Sequence, residues 1–131
     1  MGRYCDVYGN FFIVDDASKA DSYGVRIIDK GHRVFNNYFE GLLGGSGSLS
    51  NMRAPITIFN GSYATSDSLN PNILNGEYLP ADSAIVAYNT AVNCFSGAGI
   101  RLGYINGGVN TYQPKGIKLA NNIIKIGRAH V

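Results

Sequence analysis

Three arginines are the residues of this chain best suited to hold a ligand. Arg26 and Arg101 take the polar position in two similar segments, 24–27 and 99–102, and Arg53 comes just before a third. A guanidinium group pairs with a carboxylate through two parallel hydrogen bonds, so a row of arginines suits a ligand that carries several carboxylates. The alternative is that these arginines are solvated side chains on the outside of a β structure.

The histidine and cysteine residues favour structural roles. His32 falls in the same alternating position as Cys5 and Ala84, which predicts a packed or hydrogen-bonded interior histidine rather than a catalytic one. Two cysteines do not make a disulfide framework, and Cys5 and Cys94 are both predicted to be buried thiols. A single bridge between them is the less favoured alternative.

Acidic and aromatic residues concentrate in segments of loop composition. Asp15, Asp16 and Asp21 could gather around calcium, but three carboxylates in a loop that also contains Ser and Ala are more often solvated. The other acids are scattered, so the paired carboxylates of a glycosidase cannot be assigned. Four tyrosines either stack on sugar rings or cover the edge of a sheet, and the sequence leaves both roles open. They are Tyr63, Tyr78, Tyr104 and Tyr112.

A repeated unit with asparagine at one fixed place must position these residues. In each copy an apolar residue is followed three positions later by Asn, and two positions beyond that by another apolar residue. The copies are 7–12, 34–39, 86–91 and 119–124, and their asparagines are Asn10, Asn37, Asn89 and Asn122. Stacked copies of such a unit make a solenoid. We expect the four amides to lie above one another and to hydrogen-bond as a ladder.

A second set of short segments precedes these units. Segments 24–27, 55–58 and 99–102 alternate inward aliphatic residues with one outward polar residue, so each coil holds at least two strands. Where the chain leaves one strand for the next, the backbone often needs a left-handed conformation, which Asn tolerates well. That requirement is our explanation for the asparagines. The alternative is that they mark ordinary turns of an antiparallel β protein.

The spacing of the asparagines gives the size of a coil. The successive intervals are 27, 52 and 33 residues. They predict an all-β fold, a parallel β-helix of about four to five coils, with loops near 60–80 and 103–115 that are rich in Gly, Asn, Ser, Pro and Tyr. The 52-residue interval could instead contain an extra, degenerate turn.

Composition agrees with a turn-rich β protein. The chain has 17 glycines in 131 residues, 15% charged residues and no tryptophan, and its length predicts one domain. A net charge of +2 is too small to predict a nucleic-acid partner. No apolar run reaches membrane-spanning length, and the first residues lack the pattern of a signal peptide.

Two segments resemble a known family. Residues 23–42, with the sequence YGVRIIDKGHRVFNNYFEGL, and residues 114–124, PKGIKLANNII, are similar to the polysaccharide lyases of family six, which include alginate lyase and chondroitinase B. The resemblance extends from about Cys5 to Ile126. It implies a right-handed parallel β-helix that cleaves acidic polysaccharides, such as alginate or dermatan-type chondroitin, by β-elimination. It also implies a secreted or periplasmic parent protein.

The resemblance implies catalytic residues that this chain does not contain. In the family a Lys is the base, an Arg within an Arg-His-Gly motif is the acid, and calcium commonly helps to neutralise the uronate. The motif should fall at or just before residue 1, where Met1 and Gly2 stand, and the Lys and the calcium ligands lie further upstream. We therefore expect no catalytic residue and no metal ligand here. Arg53 falls roughly where the family has a substrate-contacting arginine.

The favoured interpretation is a C-terminal piece of a lyase. Residues 1–131 would be one partial β-helix domain, family-like over 3–126, with a vector-derived tail over 127–131. Such a piece would keep part of a groove for an acidic polysaccharide but little or no activity, and its exposed ends predict either self-association or a loop or tail folded across them. One alternative is a non-catalytic β-helix for carbohydrate binding or scaffolding. Another is an active enzyme that uses unassigned residues.

Overall fold

The computed structural model describes residues 3–14, 24–42, 54–61, 79–94, 99–104 and 112–125. These residues form short strands and no helix, so none of them belongs to a helix that could cross a membrane. The strands are β1 (Asp6–Tyr8), β2 (Phe11–Ile13), β3 (Val25–Ile27), β4 (Arg33–Phe35), β5 (Tyr38–Glu40), β6 (Ile56–Phe59), β7 (Ile85–Ala87), β8 (Thr90–Val92), β9 (Ile100–Tyr104), β10 (Lys118–Ala120) and β11 (Ile123–Lys125).

The strands form three parallel sheets. Sheet A has the order β1-β4-β7-β10, sheet B the order β2-β5-β8-β11, and sheet C the order β3-β6-β9. Strands that follow one another along the chain belong to different sheets, and each pairs with the equivalent strand of the next coil. The fold is therefore a parallel β-helix, as predicted. Within the described residues, sheets A and B contain strands from four coils and sheet C contains strands from three.

The long interval between the second and third asparagines is a single coil. Val34 pairs directly with Val86 in sheet A, and Phe39 pairs with Ala91 in sheet B. The alternative of an extra turn is therefore wrong. Most of the two predicted loops, residues 62–78 and 105–111, lies outside the described residues.

The bases of the two predicted loops are joined to each other. Gly61 and Tyr112 exchange two backbone hydrogen bonds of 2.8 and 2.9 Å in an antiparallel bridge. Gly103, which the sequence assigned to the second loop, belongs to β9 instead. The second loop therefore leaves the coil later than predicted.

Aliphatic and aromatic side chains fill the interior, as their alternation predicts. Val34, Phe39 and Val86 are at most 1% exposed. The ring of Phe39 stacks on that of Phe12 in the preceding coil, with 4.7 Å between centroids. Packing is so close at Gly24 that a Cβ atom there would lie 2.5 Å from the carbonyl oxygen of Pro55. The chain can enter sheet C at this place only with glycine.

The four repeated asparagines hydrogen-bond from coil to coil. The backbone N–H and Nδ2 of Asn10 both donate to Oδ1 of Asn37, at 3.1 Å each. Asn37 donates in the same way to Asn89, at 3.1 and 3.0 Å, and Asn89 to Asn122, at 3.0 and 3.0 Å. The Nδ2 of Asn89 also reaches the carbonyl oxygens of Val34 and Ala87, at 2.9 and 3.1 Å. We call these four residues the asparagine column.

Our explanation for the asparagines was wrong in one respect. The left-handed backbone falls one residue earlier, at Gly9, Asn36, Tyr88 and Asn121, with φ between 51° and 67°. That residue turns the chain from sheet A into sheet B. The asparagine is needed because its side-chain amide hydrogen-bonds to backbone carbonyl and N–H groups at the corner. Pairing between strands does not supply partners for these groups.

An ion pair joins the first two coils on the outside of sheet A. Arg33 Nε donates to Oδ1 of Asp6 at 2.7 Å, and Arg33 Nη2 contacts the other carboxylate oxygen. The hydrogen bond from Arg33 lowers the pKa of the Asp6 carboxyl, and its partner raises the pKa of Arg33. The two residues pair in register because each stands one position before the Val of its repeat.

We expect Asn89→Ala to destabilise the protein far more than Asn10→Ala. Asn89 is 3% exposed, so its loss leaves buried carbonyl and N–H groups in two coils without partners, at a cost of about 2–4 kcal/mol. Asn10 is exposed at the start of the column, where water replaces the lost bonds. Urea unfolding of the two variants measures the difference. Equal free energies of unfolding would contradict a structural role for the buried amide.

Candidate functional site

Two of the three predicted binding arginines lie on one face of sheet C. Arg26 pairs in register with Thr57 of the next coil, and Thr57 pairs with Arg101 of the coil after that. The aliphatic neighbours on each strand point into the coil, so all three face outward. Strands in a sheet lie about 4.8 Å apart, which puts the Cα atoms of the two arginines roughly 10 Å from each other. Arg53 lies outside the described residues.

Thr57, which lies between the two arginines, is buried, although alternation along the strand predicts an accessible polar residue there. Thr57 is 0% exposed, and its hydroxyl donates to the carbonyl oxygen of Ala54 at 3.2 Å. All four residues of β6 are buried, so this strand is covered on both faces. The accessible charge on the face therefore comes from Arg26, which is exposed, and Arg101, which is half-buried.

Arg26 also contacts an aromatic ring. Its Cζ lies 5.9 Å from the centroid of the Phe59 ring, within the range of a cation–π interaction. Phe59 stands two residues beyond Thr57 on β6, so the arginine reaches it diagonally across the sheet. Sequence analysis gave Phe59 no role. Strict alternation along β6 would have placed it outward, on the same face as Arg26.

Charged residues at the corner between sheets C and A pair between coils. Arg3 Nε lies 2.8 Å from Oδ2 of Asp29, a residue only 2% exposed, and Lys115 Nζ lies 3.7 Å from Oδ2 of Asp82. These carboxylates are held by cations from adjacent coils. Among the described residues, no three His, Cys, Asp or Glu side chains are grouped to hold a metal ion. The loop carboxylates Asp15, Asp16 and Asp21 lie outside them.

His32 connects the first two coils through both of its ring nitrogens. Its Nε2 lies 2.8 Å from the carbonyl oxygen of Ile28, and its Nδ1 accepts the backbone N–H of Cys5 at 3.3 Å. This network assigns the proton to Nε2. The geometry is that of a hydrogen-bonded structural histidine, and it keeps both nitrogens from a substrate.

A cavity of about 270 Å³ opens beside His32. Aliphatic side chains of β1, β3 and β4 line it, and it reaches His32 and the stem of Arg26 but not Arg101. The cavity is largely apolar and does not reach Arg101, so it does not extend along the row of outward arginines. The row of outward arginines remains the candidate site.

The family of the chain follows from a comparison with family models. The model described as Chondroitinase B matches residues 1–125, a range that includes all eleven strands. The chain belongs to the Chondroitinase B family. A comparison with curated proteins found no match. The resemblance seen in residues 23–42 and 114–124 is thus part of a match over almost the whole chain.

Within this Chondroitinase B family domain, one cysteine lies where we predicted and the other does not. Cys94 is buried, its Sγ lies 3.4 Å from the carbonyl oxygen of Val92, and burial raises the pKa of its thiol. Cys5 is exposed, so its predicted burial was wrong. It belongs to the first coil, where no described strand stacks on the outer side. Both thiols are free, and no disulfide joins them.

Two of the four tyrosines that were assigned to loops lie within the described residues. Tyr112 is 45% exposed and joins the base of its loop to Gly61, so its position suits either of the roles considered for it. Tyr63 and Tyr78 lie outside the described residues. Tyr104 ends β9, where its backbone pairs with Phe59.

We expect a thiol reagent to modify the two cysteines at very different rates. In the native protein Cys5 should react within minutes, whereas Cys94 should react only after denaturant is added, because it is shielded and its thiolate is disfavoured. Titration with a chromogenic disulfide reagent, followed by intact-mass measurement, gives the number of thiols that react before and after denaturant is added. Cys5→Ser should remove the fast reaction alone. Two fast thiols in wild type would contradict the burial of Cys94.

Proposed function

We propose that the outer face of sheet C binds an acidic polysaccharide as part of a polysaccharide lyase domain. The observation that carries the proposal is the register of β3, β6 and β9, which puts the outward Arg26 and Arg101 in one row across the coils. Guanidinium groups suit the carboxylates of a uronic acid chain, because each can pair bidentately. Membership of the Chondroitinase B family supports an acidic glycan. Alginate and dermatan-type chondroitin are the candidate substrates.

In β-elimination the arginines would hold and neutralise uronate carboxylates. Pairing a carboxylate with a cation makes the neighbouring C5 proton easier to remove, since charge that develops toward the carboxylate is stabilised. By family resemblance, the base that takes this proton is a Lys and the acid that protonates the departing glycosidic oxygen is an Arg of an Arg-His-Gly motif, and neither role is assigned to a residue of this chain. We therefore propose that residues 1–131 bind the polymer with little or no turnover.

Calcium, where the family uses it, would help neutralise the same carboxylate. The described residues of this chain offer no fitting group of ligands, because the buried Asp29 and the nearby Asp82 are each paired with a cation. The parent protein would act outside the cytoplasm, secreted or periplasmic, where its polymer substrate is found.

We expect Arg26→Gln and Arg101→Gln each to weaken binding of an alginate or dermatan sulfate oligosaccharide. Loss of one charge-assisted hydrogen bond is worth about 1.5–3 kcal/mol, or roughly tenfold or more in Kd. Lys118→Gln is the matched control, since it removes an exposed cation from sheet A. It should change the Kd less than about twofold. Calorimetric titration at fixed ionic strength measures all four proteins.

The outcomes separate the candidate functions. Equal losses in the Lys118 and Arg26 variants would mean general attraction to a polyanion and would reject the site. Ultraviolet absorbance of an unsaturated product, from this chain alone, would overturn the proposal that residues 1–131 bind the polymer with little or no turnover. Binding that persists without product, even when the chain is joined to coils of the family that carry the Lys and the Arg, would favour a non-catalytic carbohydrate-binding β-helix.

We also propose that the chain associates with itself through its last coil. Leu119, Ile124 and Leu102 face the interior but are 48%, 44% and 57% exposed, because no described strand covers them. The first coil offers Asn10 and Asp6 at the positions that continue the columns of Asn122 and Lys118. A head-to-tail contact would therefore extend both the hydrogen bonds and the charge pairing, and such contacts are open-ended.

Light scattering over a tenfold range of concentration tests this association. The average mass should rise with concentration in wild type, and Leu119→Glu should suppress the rise by burying a charge in the contact. Lys118→Glu, with its side chain on the outer face, should suppress it less. A wild-type chain that stays monomeric throughout the range would refute the proposal.

A further inference from the structure

Phe59 is a buried aromatic residue that does not belong to the interior of the coil. It is 1% exposed, yet it is absent from the cluster of interior side chains that includes Ile56 and Ile58. Alternation along β6 turns Ile58 inward and Phe59 outward. The protein therefore buries a large ring on the outer face of sheet C, where the candidate arginines lie.

The ring lies beneath a guanidinium group. Arg26 is opposite Thr57 in the sheet, and its Cζ extends two residues along β6 to a point 5.9 Å from the centroid of the Phe59 ring. Thr57 does not compete for the guanidinium, because its hydroxyl is bonded to the carbonyl oxygen of Ala54. The exposed Arg26 thus has a rigid, buried surface to pack against.

A β-bulge adjoins this ring. Ile58 pairs with Leu102, but Phe59 pairs with Tyr104, so Gly103 is an extra residue on β9. Gly103 has a φ of 84°, which glycine adopts without strain. Bulges change the direction of a strand and re-aim its side chains, and they are frequent beside binding sites. This one fixes the position of Phe59 relative to the strand that carries Arg101.

We propose that Phe59 is a positioning residue that orients Arg26 for bidentate binding of a uronate carboxylate. An aromatic ring interacts with the flat face of a guanidinium group and leaves its in-plane N–H groups available to a ligand. A solvated arginine would lose side-chain entropy on binding, whereas one packed on a ring has lost part of it already. This inference rests on the proposed sugar-binding function of the sheet C face.

A double-mutant cycle tests the inference with an unsulfated alginate oligosaccharide, whose only anions are carboxylates. The proteins are wild type, Arg26→Gln, Phe59→Leu and the double variant. We expect Phe59→Leu to raise the Kd about threefold or more, and the double variant to bind no more weakly than Arg26→Gln. Phe59→Met, which keeps most of the volume, serves if the leucine variant does not fold.

Phe39→Leu is the matched control. It removes an equally buried ring from the interior, so it should lower thermal stability as Phe59→Leu does while leaving the Kd unchanged in the folded protein. A spectroscopic readout follows Arg26 itself. The ring current of Phe59 should displace the Arg26 side-chain N–H resonance, and this displacement should vanish in Phe59→Leu but persist in Phe39→Leu.

Each result bears on one proposal. If Arg26→Gln binds as wild type does, the sugar site itself is rejected. If Arg26→Gln weakens binding but Phe59→Leu does not, only the positioning role is rejected. Independent, additive losses in the double variant would also reject it, because Phe59 would then act other than through Arg26. An unchanged Arg26 resonance in Phe59→Leu would show that the ring does not hold the guanidinium group.

Discussion

Hydrogen bonds between stacked asparagine amides set the register on which the rest of this structure depends. At the corner between sheets A and B, the amide of Asn89 binds groups of its own coil and of both adjacent coils. A parallel coil has no hairpin to fix how its strands align, and a slip by one residue would exchange inward and outward side chains. The column prevents that slip at every turn. Arg26 and Arg101 share a face because the amides keep the coils aligned.

The repeating parts of the fold could be predicted from the sequence because one local pattern decides them. Alternating aliphatic residues around Arg26 and the apolar–Asn–apolar unit gave the strands, the pairing of coils and the inward positions of Val34 and Phe39. The errors at Thr57 and Cys5 concern what lies across from a residue rather than along the chain. Thr57 is covered from outside, and Cys5 lacks a described coil on one side. The sequence pattern around each residue indicates neither condition. The contact between Arg26 and Phe59 joins two coils, so it needed the register as well as the alternation.

The backbone positions of the candidate site are fixed before a ligand binds, because the site lies on strands. Arginines on loops would have to be ordered when a polymer binds, whereas those of sheet C stand on backbone already fixed by parallel pairing. Different supports hold the two described arginines. Arg26 packs on a ring, and Arg101 is partly buried in a strand with a bulge. Family membership agrees with a binding face for an acidic glycan, and the outer face of sheet C is the surface that we propose for it.

The 52 residues from Asn37 to Asn89 form a single coil, so the number of residues in a coil does not decide how its strands pair. Residues 60–84 separate the end of β6 from the start of β7, yet β4 and β7 pair directly in register. The entropy cost of closing a segment of the chain grows only with the logarithm of its length. The number of residues between these two strands can therefore change while the coil keeps its register. Because β6 ends at Phe59, such a change would follow the ring that packs against Arg26 and would leave the strands of the arginine row in place.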